Sequence, residues 1–281
     1  MVVGGRGRRR GAMALRLALL TAGVVVMLLP FAYMLATSFK PNAMVLEIPL
    51  KFFPEHPTTA NYVAAWTSNR FAQYFLNSVI VAIATTAAAL LLSSMMAFSF
   101  ARFRFPGRSL FFGLILIALM VPTMMMLIPQ FLLARDLHVL DSLWGLVVFY
   151  TGGNLGFNTF LLHSFFQDIP SELDEAMIVD GASPWTRYWR LILPLSRPAL
   201  ATAAIFTFLA SWDEFTWALT IINDPSRYTL PIAIALFQGQ HSTSWGLVFA
   251  ASAIAIAPVL IIFAIFQRQF VAGIASGAVK A

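Results

Sequence analysis

Stretches of twenty or more uncharged, mostly apolar residues recur along the chain, separated by short segments rich in Arg, Pro and Gly. Charge-free gaps run from Arg16 to Lys40, Arg70 to Arg102, Arg108 to Arg135 and Asp141 to Asp168. Another lies between Arg197 and Asp224, interrupted only by Asp213 and Glu214, and a last one between Arg227 and Arg268. A bilayer core about 30 Å thick is crossed by a helix of roughly 20 apolar residues. The pattern therefore predicts six spans, at about 15–37, 75–100, 109–131, 143–165, 199–222 and 246–267. The last gap takes one span only, because Tyr228 to Ser244 is polar and Gly-containing. The expected fold class is all-α, a polytopic membrane helix bundle with a long loop at 166–198.

Composition agrees with the pattern. Apolar types make up 59% of the 281 residues and charged types 11%, with a mean hydropathy of +0.80. Soluble domains carry about 45–50% apolar and about 25% charged residues. A water-soluble enzyme and a disordered chain are both excluded. Net charge is +6, and its distribution carries the information. An inside N-terminus puts 13 of the 18 Lys and Arg on the cytoplasmic side and 5 outside. That split predicts cytoplasmic termini in a cytoplasmic (inner) membrane protein, with a basic segment at 1–14, and it needs no nucleic-acid partner. Five Arg before an apolar run also resemble a secretory signal. The run exceeds a signal core and lacks an A-x-A site, so an uncleaved first span is expected.

Chemistry is narrowed further by what is missing. There is no Cys, which removes disulfides, thiolate metal sites and a cysteine nucleophile. His56, His138, His163 and His241 are scattered, and no metal site is expected. None of the three Lys stands in a G-x-x-x-x-G-K-[ST] setting, so no nucleotide-binding motif and no catalytic residue is assigned.

The loop at 166–198 reads as two short helices. Ser171 suits an N-cap, Gly181 suits the left-handed position that closes a helix, and Ser183 with Pro184 opens the second. Pro194 and Pro198 precede the next span. Leu173, Ala176 and Met177 form one stripe; Glu172, Glu175 and Val179 form another. Acidic residues on the free face fit docking into a partner's groove. An interfacial helix lying on lipid headgroups is the other reading, disfavoured by those acids.

Inside the spans, Asp213 and Glu214 sit near the middle of the fifth. Ionisable groups at that depth face a wet path or a partner, or form a structural knot. Trp212 and Trp217 beside them have faces that suit sugar stacking. Asn154 and Asn158 in span four serve either a path or helix packing. Met124, Met125 and Met126 fit a flexible gate or a lipid-facing run.

Glu175-Ala176-Met177, Gly181 and then Leu191-Ile192-Leu193-Pro194 resemble the loop E-A-A-x3-G-x9-I-x-L-P of permease subunits of binding-protein-dependent ABC importers. Asp180-Gly181-Ala182 matches the D-G-A often found within it. The segments Ser38–Asn42, Tyr74–Ser78, Ala101–Gly107 and Gly273–Lys280 extend the resemblance to the carbohydrate-uptake subgroup. Met177 and Leu191 depart mildly from the pattern, and Asp213 stands where relatives commonly have Asn. The resemblance implies a single transmembrane domain over 15–281, with the loop as a coupling helix docking on an ATPase. Glu175 would pair with a basic residue there, Gly181 would make the turn, and the tail 268–281 would reach the same partner. It also implies a second permease, a homodimeric ATPase holding ATP and Mg, and an extracytoplasmic sugar-binding lipoprotein. No cofactor is expected on this chain. Two alternatives remain: a secondary transporter using Asp213 and Glu214, and a membrane enzyme. The latter is weakened because adjacent helical carboxylates point about 100° apart.

Overall fold

The computed structural model describes residues 5–278, apart from 46, 50, 69 and 240–242, with side chains from 13 to 267 apart from those and 43. Side chains of the basic N-terminal Arg cluster and of the 268–281 tail lie outside the described residues, and so do residues 279–281 altogether.

The first helices are α1 (Gly5–Ser38), α2 (Ala60–Thr67), α3 (Phe71–Arg102), α4 (Arg108–Leu119), α5 (Leu127–Asp136) and α6 (Leu143–Asp168). Next come α7 (Ser171–Val179), α8 (Pro184–Arg187), α9 (Leu193–Leu195) and α10 (Arg197–Trp212). The chain then forms α11 (Thr216–Ile221), α12 (Leu230–Leu236) and α13 (Trp245–Ala278). No strand occurs among the described residues. The protein is an all-α membrane bundle.

By length and apolarity α1, α3 and α13 qualify as spans. The 26-residue α6 is long enough to cross but carries the Gly–Gly–Asn and Asn158 polar positions. Two expected spans are not single straight helices. The third, expected at 109–131, divides into α4 and a Thr123–Asp136 segment bent by 97°. Pro122, with no N–H and an extended backbone (φ −62°, ψ 126°), stops the helix there. Met124, Met125 and Met126 occupy a tight turn at this bend and are exposed. The fifth, expected at 199–222, breaks between α10 and α11 at Asp213–Phe215.

The chain divides into two units, Met1–Ser68 with Ile234–Ile254, and Asn69–Ala233 with Ala255–Ala281. In the first, the Ser38–Asn42 segment acts as a connector. Asn61 donates its amide to the carbonyls of Ser38 and Lys40, at 2.9 and 2.7 Å, and the Asn42 side chain accepts the Gly246 N–H. In the second, α3 packs along α6 and α10. Leu162, Phe166, Tyr188 and Ile192 fill one end of that packing, and Leu146, Tyr150, Trp217 and Ile221 the other. Asn77 of the Tyr74–Ser78 segment donates to the carbonyls of Ser226 and Tyr228, and Ser78 accepts the Leu230 N–H. Both motif segments thus hold connecting loops against helix ends.

Candidate functional site

The loop after α6 folds as two arms. Ser171 is the first helical residue of α7 rather than its cap; Pro170 takes the cap position, and its side chain bonds nothing. The far end follows the expectation. Gly181 has φ +76°, its N–H donates to the Ile178 carbonyl, and the Ala182 N–H donates to Met177. These two bonds satisfy carbonyls that the helix end would otherwise leave open. Ser183 accepts the Thr186 N–H at 3.2 Å, with Pro184 opening α8.

The faces of α7 differ from the expected division. Its buried residue is acidic: Asp174 lies under the helix, 2.8 Å from the Arg187 guanidinium on the second arm. Glu172, Glu175, Ala176 and Asp180 are exposed, and so are Leu173, Ile178 and Val179, the last 86% accessible. Met177, Ala182 and Leu193 are half-buried, while Pro194 is exposed. An arginine waiting beneath the helix explains why a carboxylate rather than a leucine turns inward. The outward face therefore mixes carboxylates with apolar side chains, a surface that suits a protein groove better than water alone.

Behind the loop, Arg102 at the end of α3 donates to the carbonyls of Phe166 and Ile169, at 2.8 and 2.7 Å. The Tyr188 hydroxyl meets Ser94 at 2.7 Å, both in the core of this unit. Asp174, Arg187, Arg102 and Ser94 were not legible as site residues. Their one local signal was a pair of opposite charges 13 positions apart.

At the break between α10 and α11 the two acids separate in role. Glu214 accepts the N–H groups of Trp217 and Ala218 at 2.8 and 3.0 Å, and the Tyr150 hydroxyl of α6 at 2.6 Å. It thereby caps α11, satisfying donors that the interrupted helix frees. Asp213 is exposed; its N–H donates to the Leu209 carbonyl, and its carboxylate has no hydrogen-bond or ion-pair partner among the described residues. The indoles of Trp212 and Trp217 turn inward, contrary to the expected sugar platform. Trp212 stacks on Phe208 and donates to the Ala255 carbonyl at 3.1 Å, while Trp217 packs on Phe149. Asn154 bonds its own helix, and Asn158 ties α6 to Thr207 of α10 at 2.8 Å. The structure brings Trp212, Asp213, Glu214 and Trp217 to one helix break, with α6 beside it.

A family model described as binding-protein-dependent transport system inner membrane component matches residues 89–276. A diacetylchitobiose uptake system permease of Streptomyces coelicolor is 33% identical, covering 92% of this chain and 86% of its own length. A sulfoquinovosyl glycerol transport system permease of Agrobacterium fabrum is 35% identical, covering 90% and 89%. A trehalose transport system permease of Mycobacterium tuberculosis is 34% identical, covering 90% and 92%. Among solved structures, a chain of a bacterial ABC transporter involved in the import of alginate superposes with a TM-score of 0.82. It covers 96% of this chain and all of its own length at 22% identity, a likeness of fold.

Proposed function

The chain belongs to the family of binding-protein-dependent transport system inner membrane components, and on that premise we propose that it is the permease subunit of an ATP-driven sugar importer. It forms the translocation path with a second permease, takes sugar from an extracytoplasmic binding lipoprotein, and is driven by a homodimeric cytoplasmic ATPase. Both termini and the α7–α8 loop face the cytoplasm. A sugar cargo is supported by the relatives, whose names cite diacetylchitobiose, sulfoquinovosyl glycerol and trehalose.

The observation that carries the coupling assignment is α7 itself. It stands on a buried ion pair and offers Glu175, Leu173 and Val179 outward. Glu175 pairs with a basic residue of the ATPase, the exposed apolar side chains enter the adjoining groove, and Gly181 sets the angle between the arms. ATP and Mg stay on that partner.

Along the path, Asp213 is the residue assigned to contact cargo or its water. An unpartnered carboxylate within a span faces a wet cavity, whereas Glu214 is engaged three times over. The test is vesicle uptake by the chain assembled with its second permease, ATPase and binding protein. Uptake that needs ATP and survives collapse of the proton gradient supports the assignment. Uptake that follows the gradient instead would make Asp213 part of a secondary transporter.

A further inference from the structure

Asp174 and Arg187 sit on opposite arms of the loop, and their side chains are only 10% and 8% accessible. The guanidinium lies over the Phe103 ring, 5.6 Å from its centroid, at the residue that follows α3. Phe103 meets Phe98 edge-on, Phe98 packs on Tyr188, and the Tyr188 hydroxyl reaches Ser94. Arg102, next to Phe103, holds the carbonyls of Phe166 and Ile169 just before α7 begins. The same end of α3 therefore holds the entry to the first arm through Arg102 and the second arm through Arg187 and Tyr188, while Asp174 ties the first arm to the second.

An exposed ion pair contributes little to stability. A buried one carries a desolvation cost, and removing one partner leaves the other charge uncompensated. Such a pair is better suited to fixing one arrangement than to adding stability. Its place between the arms says which arrangement it fixes. If the arms flexed against each other, a push on α7 would be absorbed within the loop. With the pair closed on Phe103, the push passes to α3.

We propose that Asp174 and Arg187 are positioning residues whose ion pair, seated on Phe103, makes the two loop arms and the Arg102 end of α3 move as one body. This rests on the coupling role given to α7 above. Both residues act from beneath the helix without touching the ATPase, which meets the exposed Glu175 face.

The test uses the complete complex in vesicles and reads sugar taken up per ATP hydrolysed, with co-purification of the ATPase measured alongside. Asp174→Asn and Arg187→Gln should each lower uptake per ATP by about tenfold, the upper part of the range for residues that carry coupling, while the ATPase still co-purifies. The chain has no Cys, so an Asp174→Cys/Arg187→Cys variant can be bridged selectively by a short bifunctional methanethiosulfonate and released by reductant. That variant leaves no charge uncompensated and serves alone if the single variants do not assemble. Bridging should restore uptake per ATP, and reduction should lower it again. A wild-type ratio in both single variants would overturn the proposal. So would a bridge that leaves the ratio low or lowers it further, since the arms would then need to separate during transport. Failure of the unaltered complex to couple uptake to ATP would instead refute the importer assignment.

Discussion

Tyr150 of α6 donates its hydroxyl at 2.6 Å to Glu214, which lies in the break between α10 and α11. The contact does two things at once. It holds α6 against the break, and it orients a carboxylate that also caps Trp217 and Ala218. A broken helix inside a bilayer is tolerated only where its freed N–H groups find partners, and Glu214 supplies them.

Glu214 should therefore behave as a structural residue and Asp213 as a functional one. Tyr150→Phe removes a hydrogen bond to a charged acceptor, a loss of about 1.5–3 kcal/mol, and Glu214→Ala should be worse. Both should lower the thermal unfolding midpoint of the purified chain. Asp213→Asn should leave that midpoint nearly unchanged, within the roughly 0.5 kcal/mol typical of unpartnered positions, yet reduce uptake. The reverse ranking in unfolding scans would exchange the two roles.

Gly181 offers a cleaner backbone test. A Cβ there meets nothing within 4 Å, but the residue sits at φ +76°. Strain alone is added by Gly181→Ala, about 1–2 kcal/mol for a left-handed residue, and more by the β-branched Gly181→Val. Asn tolerates this conformation better, so Gly181→Asn should retain most uptake while Gly181→Val loses it. Equal uptake by all three would mean that the turn does not set the angle of α7.

How far the sequence reveals this arrangement depends on the range of each interaction. Charge-free gaps mark α1, α3, α6 and α13, because crossing a bilayer is a local demand on about 20 neighbours. The same gaps hide the 97° bend after α4. Hydropathy averages over residues, and Pro122 changes direction without changing apolarity. Gly181 and Ser183 are readable because turns and caps are settled within a few positions. Asp174 is not, since its first-turn position suits an exposed acid, and only folding brings Arg187 beneath it. Glu214 is likewise fixed by Tyr150, 64 positions away. The indoles of Trp212 and Trp217 look available for sugar until Phe208 and Phe149 are seen to cover them.

Orientation has a direct chemical readout, again helped by the absence of native Cys. His56, Ser109 and Ser183 are all exposed in the structure. In intact cells, His56→Cys should react with an impermeant thiol reagent, whereas Ser109→Cys and Ser183→Cys should react only after permeabilisation. Labelling of position 183 from outside would place the loop on the wrong side for any cytoplasmic ATPase.

The central claim is that α7 transmits ATPase movement to the spans, and Glu175 is its most exposed test. The residue lies outside every span and is solvent-facing, so Glu175→Lys should insert into the membrane at the normal level. In the reconstituted complex, sugar uptake should be abolished, and the ATPase should either be released on purification or hydrolyse ATP without transport. Normal uptake, normal ligand-stimulated hydrolysis and normal co-purification for Glu175→Lys would contradict the account.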